Sequence, residues 1–188
     1  MNKIDIKNLT GKCLVSLPNT QGIFAETVIY ICSHDRDGAM GFIVNKRLHD
    51  ISFQDLASQM PFPFLEAPLA INLYNGGPLE KAKGFILHSS EYQLPDSLNT
   101  GNGITVSSSL DVLKDIAFGK GPKQKIIALG YAGWAPQQLE KEITDNHWLI
   151  TEATPELILG SDDENKWNKA LSSLGINFNN LAPSFGHS

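Results

Sequence analysis

Apolar and β-branched residues gather into short runs along the first two thirds of the chain. KCLVSL (12–17), TVIYICS (27–33) and MGFIVN (40–45) are each bounded by turn formers, and runs of that length and composition predict strands. Between the last two, the Asp37-Gly38 pair predicts a hairpin, because glycine tolerates positive φ. LAINLY (69–74) and KGFILHS (83–89) form a second pair joined by NGGPLEKA, and GITVSS (103–108) and QKIIALGY (124–131) complete the strands.

Helical signals interrupt this pattern in four places. Ser52 followed by Asp55 is a capping-box pattern for a helix over about 53–59, which Pro61 and Pro63 stop. Ser108 with Asp111 opens a second over about 109–118, with Leu110, Leu113, Ile116 and Ala117 on one side and Gly119 and Gly121 beyond it. Pro136 suits the first turn of a third, where its missing N–H costs nothing. Ser161 and Glu164 cap a fourth over about 162–173, whose inward side is Trp167, Ala170, Leu171 and Leu174. Strand pairs with inserted helices and no regular βαβ alternation predict an α+β fold.

Length and charge narrow the class. A chain of 188 residues fits one domain over 1–188, and at this size roughly 70% of the unfolded surface is buried on folding. The net charge of −5 is spread thinly: residues 51–100 and 151–188 each carry two basic against five acidic side chains. No basic face is visible to neutralise a run of phosphates, so direct nucleic-acid binding is disfavoured. Cys13 and Cys32 sit in apolar runs without CxxC spacing and read as small buried residues of a reducing compartment. No hydrophobic signal region opens the chain and no apolar run nears the ~18 residues of a membrane span. The expectation is a soluble cytoplasmic protein.

Enzyme signatures are sparse. G-x-S-x-G, G-x-x-x-x-G-K-[ST] and H-E-x-x-H are all missing, and GNGITV and GKGPKQ lack the third glycine of a dinucleotide loop. The histidines at 34, 49, 88, 147 and 187 have no metal-ligand spacing, so no metal and no cofactor is expected. His34, flanked by Asp35 and Asp37, reads as part of an exposed hairpin in preference to a weak cation site. His88 ends an apolar strand, where alternation turns it inward; it is either a hydrogen-bonded core histidine or a ligand or proton-handling group.

LGYAGWAPQQLEKEITDNHWLI (129–150) is the most informative stretch. On a helix from Pro136, Leu139 and Ile143 make a packed face, while Gln138 and Glu142 form an adjacent polar stripe. Gln138 falls in the first turn, near backbone N–H groups that favour anions or acceptor ligands. Trp134 precedes it in a turn that Gly130 and Gly133 allow to fold closely. Two readings stay open: a pocket rim of ring, amide and carboxylate, or a filled corner in which Trp134 packs and Gln138 satisfies loop carbonyls. Asn45, and Gly76-Gly77 before Pro78, follow strand ends and are candidates for the same place.

Four segments carry a family likeness. DGAMGFIVNK, NGGPLEKAKGFILHS, ALGYAGW…QQLEKEI…NHWL and the closing LGIN, in that order and spacing, resemble the YqgE/AlgH family of bacterial proteins. The likeness runs from about Gly11 to the C-terminus. It implies a mostly antiparallel, bifurcated, barrel-like sheet with about four helices, in a bacterial cytosolic protein. Some members carry a transcriptional-regulator label that stems from a genetic link to alginate production; no reaction, cofactor or partner comes with the family. The matched positions include Asn45, Gly76, Gly77, Pro78, Gly84, His88, Gly130, Tyr131, Trp134, Gln138, Leu139, Glu142, Asn146 and Trp148. The chain departs at Gln137, where the family usually has glycine, and at Arg47, where proline is common. A side chain at 137 is expected to narrow a pocket at the helix start.

These readings converge on a non-catalytic binding or regulatory module acting through a small-molecule or protein partner. Its expected pocket residues are Asn45, Gly76, Gly77, His88, Trp134, Gln138 and Glu142. The alternative is an enzyme in which His88 and Glu142 form a proton-transfer pair, with Gln138 orienting the substrate.

Overall fold

The strand Lys125–Trp134 is where the sheet of this protein divides. A computed structural model describes residues 6–61 and 71–176; Pro63, the first two residues of the strand expected at 69–74, and His187 lie outside them. In chain order the described elements are β1 (Lys12–Ser16), β2 (Val28–Asp35), β3 (Gly38–Ile43), α1 (Phe53–Ala57), β4 (Leu73–Asn75), β5 (Leu79–Ser89), β6 (Leu98–Asn99) and β7 (Ile104–Ser107). They continue with α2 (Leu110–Ala117), β8 (Lys125–Trp134), α3 (Gln138–Thr144), β9 (Trp148–Glu152), α4 (Pro155–Leu159) and α5 (Asp163–Ser173). A 3-10 turn, Gly22–Phe24, lies between β1 and β2.

The strands form one curled, largely antiparallel sheet in the order β6-β7-β5-β8-β3-β2-β1-β9, with β4 added in parallel on β8. The first half of β8 pairs with β5 (Phe85↔Ala128) and β4 (Tyr74↔Ala128), while its last residues pair with β3 (Gly41↔Ala132, Ala39↔Trp134). Gly130 sits at the division with φ 75°, and a Cβ there would overlap the Leu79 carbonyl. Only glycine holds that bend beside another backbone. The expected bifurcated α+β sheet is the observed one.

Both faces of the sheet are covered, which is why its strands read as near-continuous apolar runs. Cys13, Val15, Tyr30, Cys32 and Ala128 point to one face, under Ile158 of α4 and Trp167 and Leu171 of α5. Leu14, Ile29 and Ile31 point to the other, where Leu139 of α3 joins Trp134 and Trp148. Further along that side Phe53 of α1 and Val112 and Ile116 of α2 pack on Leu73, Ile86 and Ile127. Both cysteines are free and buried; burial pushes the Cys32 thiol up to about 12 and Cys13 higher still. They are packing residues, inert as nucleophiles.

Local chemistry accounts for the element ends. Ser52 and Asp55 form a reciprocal capping box: the Ser52 hydroxyl accepts from the Asp55 N–H, and the Asp55 carboxylate accepts from the Ser52 N–H. α2 is capped by Ser109, one residue later than expected, and exposes Leu110 while burying Val112. Three elements were not expected, the first being the two-residue edge strand β6. Thr154, with Pro155 at the first helical position, caps the extra helix α4, and β9 pairs with β1 across more than a hundred residues of sequence (Trp148↔Ser16).

His34, expected on an exposed hairpin, is buried, and so is Lys166, which the sequence pattern left unassigned. His34 is 5% exposed instead of hairpin surface: the segment before β1 folds over it, and the Leu9 N–H donates to its Nδ1 at 3.1 Å. Its Nε2 lies 3.4 Å from Glu140 Oε1. Lys166, on the inward side of α5, is 2% exposed and donates to the carbonyls of Val44 (2.8 Å) and Ile158 (3.2 Å) and to Asp163 Oδ1 (2.9 Å). Asp163 also accepts from the Tyr74 hydroxyl at 2.8 Å. Burial lowers the Lys166 pKa and the Asp163 carboxylate opposes that shift. Leu174, expected inside, ends α5 at 36% exposure.

Candidate functional site

β8 ends at Trp134, and the chain turns directly into α3. The turn is made by Gln137, whose φ of 64° is left-handed, so the helix begins at Gln138 and Pro136 stands outside it. The other end is equally defined. Asn146 is left-handed (φ 58°), its N–H bonds the Ile143 carbonyl, and the His147 N–H bonds the Glu142 carbonyl. That is a Schellman ending with asparagine in the position glycine usually holds. β9 then starts at once with Trp148. A seven-residue helix bracketed by two left-handed residues therefore sets Trp134 and Trp148 side by side, with Glu142 between them.

Glu142 clasps both rings. Its Oε2 accepts the indole N–H of Trp134 at 2.9 Å and of Trp148 at 2.8 Å. Its Oε1 accepts from the Gln138 amide at 2.9 Å. Gln138 also turns its Oε1 to the Ala135 N–H at 3.0 Å, so it caps the turn it follows. The two indoles meet edge to face with centroids 6.4 Å apart, and Phe24 meets Trp148 the same way at 5.6 Å.

Above this cluster lies a hollow of about 710 Å³. Its floor is Trp134, Gln138, Glu142 and Trp148; Phe24 and Leu79 contribute apolar walls, and Asp145, Asn146 and His147 a polar rim. Its lining contains Glu142 and Asp145 but neither lysine nor arginine. The expectation that the start of α3 favours anions does not fit these surroundings: the Gln138 N–H is bonded to the Ala135 carbonyl, and the carboxylates lining the hollow are those of Glu142 and Asp145. Gln137 does not line the hollow. It borders a separate depression with Asp35, Arg36 and Glu140, so its side chain does not narrow the pocket as expected.

The other expected pocket residues stand elsewhere. Asn45 is a backbone clamp: its Oδ1 accepts from the Val28 N–H at 2.9 Å and its amide donates to the Glu26 carbonyl at 2.8 Å. It anchors the start of β2, just after the turn that carries Phe24. Gly76 and Gly77 press against β8, where a Cβ on Gly76 would overlap the Gly130 carbonyl and one on Gly77 the backbone of Tyr131. They deliver Pro78 and Leu79 to the hollow without lining it. His88 is fully buried and pairs with Lys125, at the opposite end of β8 from Trp134, roughly 30 Å away along the strand. Its Nδ1 faces the Ser89 carbonyl at 3.1 Å and its Nε2 the Ser107 hydroxyl at 2.9 Å, and burial lowers its pKa. His88 and Glu142 therefore form no proton-transfer pair. Each is held by protein hydrogen bonds in a different part of the fold.

Several lining residues had no local signal in the sequence. Leu17, Asn19, Thr20 and Phe24 arrive from the β1–β2 connection, whose approach to α3 depends on β9 pairing beside β1. Trp148 and Asn146 carried the family likeness, but only the helix ending shows that they close the corner.

A split, half-barrel antiparallel sheet with helices on both faces and a ring-and-carboxylate hollow at one strand-to-helix corner defines an α+β protein of known architecture. The chain belongs to the AlgH-like family, whose model matches residues 13–179. It is 43% identical to a UPF0301 protein of Afipia carboxidovorans, covering 95% of this chain and 90% of that one. It is 44% identical to a UPF0301 protein of Ruegeria pomeroyi, covering 96% and 99%. Among solved structures, the solution structure of AlgH from Pseudomonas aeruginosa matches with a TM-score of 0.78 and 35% identity, covering 100% of both chains. A Corynebacterium diphtheriae crystal structure matches at a TM-score of 0.70 and 20% identity over 92% of this chain and 90% of that one, which shows the shared fold. Among the described residues no helix is long and apolar enough to cross a membrane.

Proposed function

We propose that this protein is a non-catalytic binding module whose ligand, a small molecule, sits in the hollow over Trp134, Gln138, Glu142 and Trp148. The carrying observation is the hollow itself: about 710 Å³ lies within the range of roughly 300–1,000 Å³ that small-molecule sites occupy, and it is walled by rings and polar groups on a firmly capped corner. Glu142 acts there as a binding and positioning group, since three donors already occupy it. The regulator label carried by AlgH relatives enters at this level. An acidic chain with no basic face suits regulation through a bound effector or a protein partner, in the cytoplasm, where free buried cysteines are at home.

A thermal-shift screen of metabolites and nucleotides tests the reading, because a ligand that binds only the folded state raises its melting temperature. A hit that Trp134→Ala abolishes while the variant still melts cooperatively supports the hollow as the site. A hit that survives Trp134→Ala moves the site elsewhere. Retention on random duplex DNA at physiological salt contradicts the proposed mode of regulation.

A further inference from the structure

Resting on the hollow as the ligand site, we infer that its occupant is an organic cation, an ammonium group carried on an apolar body. Charge is the first argument. Among the described residues, two carboxylates, Glu142 and Asp145, line the hollow and no lysine or arginine does, so an anionic ligand meets repulsion while a cation meets attraction that the low-dielectric ring walls strengthen.

The second argument is the hydrogen-bond inventory. A carboxylate offers about four acceptor positions. Glu142 has given two on Oε2 to Trp134 and Trp148 and one on Oε1 to Gln138. Among the described residues, one acceptor position remains on Oε1, at a group that lines the hollow. The same bonds consume both indole N–H donors and an amide N–H of Gln138. A ligand rich in acceptors finds no free indole donor on this floor and must turn to Asn19, Thr20, Asn146 or His147 around it; a ligand that brings a donor or a bare positive charge finds the open acceptor.

The third argument is the rings. Phe24, Trp134 and Trp148 line the hollow together, with neighbouring planes at 81° and 82°. Non-parallel aromatic walls around a carboxylate suit an alkylated ammonium, which ring quadrupoles attract without any hydrogen bond. Leu17, Pro78 and Leu79 supply an apolar flank for the ligand body, and Leu79 is 43% exposed.

The test uses one phenylethyl body with four head groups: trimethyl(2-phenylethyl)ammonium, 2-phenylethylammonium, neutral 2-phenylethanol and anionic 3-phenylpropanoate. Affinities are measured by titration calorimetry on the full chain and on Glu142→Gln, which keeps an oxygen for both indoles and removes the charge. Both cations are expected to bind at least about 10-fold more tightly than the alcohol, with the acid weakest. Glu142→Gln is expected to lower both cation affinities by at least about 10-fold, and to lower the alcohol's, whose O–H also meets Oε1, far less. Asp145→Asn, at an exposed position, gives a smaller loss of the same sign and guards against a folding defect in the first variant. Preference for the trimethyl head assigns recognition to the rings, and preference for the primary amine to Oε1; either supports the inference. Equal binding of alcohol or acid, or cation affinity indifferent to Glu142→Gln, overturns the cation class and leaves the hollow intact as a site. Silence from all four probes overturns the cation class, and the metabolite screen then decides separately whether the hollow binds anything.

Discussion

Replacing Glu142 by alanine removes the acceptor shared by two indoles. Trp134 and Trp148 are each only 7% exposed, and both direct their N–H at Glu142 Oε2. Leaving a buried donor without a partner costs about 1–3 kcal/mol. Water can enter from the hollow, which places both donors toward the lower part of that range, so the expected total loss is about 2–4 kcal/mol. Glu142→Gln is the informative companion. Its amide oxygen can accept from both indoles, while the charge assistance disappears and the exposed Gln138 amide exchanges its Glu142 oxygen for water, a combined loss of about 1 kcal/mol. For a domain of this size that corresponds to a melting-temperature fall of roughly 5–15 °C for alanine against roughly 2–4 °C for glutamine. Urea unfolding followed by far-UV circular dichroism, with the slope required to stay constant, gives the free energies. An alanine variant within about 0.5 kcal/mol of the parent, where ordinary surface substitutions fall, would refute the clasp. So would a glutamine variant as unstable as the alanine one, because the oxygen would then count for nothing.

Other expectations follow from the same geometry. Gln137 is left-handed at φ 64° with no side-chain cap bond, a conformation that costs a non-glycine residue about 1–2 kcal/mol. Gln137→Gly therefore raises stability by about 0.5–1 kcal/mol after the added freedom of the unfolded chain is subtracted, and an unchanged or lower urea midpoint counts against the turn. Lys166→Ala strands Asp163 and two carbonyls in the core and loses about 3–5 kcal/mol. Lys169→Ala, at an exposed pair with Asp162, is the control and leaves stability close to the parent's; equal losses contradict the buried network. His88 has a pKa lowered by burial from its ordinary 6.5. Above that pH both folded and unfolded states hold it neutral. Below it the unfolded chain takes up a proton that the fold excludes, so stability falls as pH drops from about 6.5 toward the folded pKa. His88→Gln removes that part of the slope, and identical pH profiles for parent and variant would dismiss it.

The architecture was legible where the information is local. The Ser52–Asp55 box, the Asp37-Gly38 hairpin and the long β8 run all appear as read, because caps, turns and apolar runs act within a few residues. Non-local pairings were not visible. WLITE receives no strand assignment until it is paired with β1, and nothing local to Lys166 points to the Val44 carbonyl that it reaches. α4 is different: Thr154 before Pro155 is a start signal that local reading could have found. At the site, the sequence identified Trp134, Gln138 and Glu142, because the last two are i, i+4 neighbours on α3 and Trp134 ends the strand just before it. For Asn45, Gly76, Gly77 and His88 the sequence indicated a strict requirement but not its object. Those requirements are met by the protein's own backbone and by Ser107. Glycine at a close approach reads the same in sequence whether the neighbour is a ligand or a strand.

The central claim is that the corner between β8 and β9 holds a ligand against two clasped indoles. Three tryptophans make this directly measurable, because Trp167 is buried on the other face and donates to the Ser16 carbonyl at 3.0 Å. In a 1H–15N titration with trimethyl(2-phenylethyl)ammonium, the indole N–H signals of Trp134 and Trp148 are predicted to move together and saturate while that of Trp167 stays in place. Movement of Trp167 alone, or saturable binding that shifts neither Trp134 nor Trp148, would contradict the account.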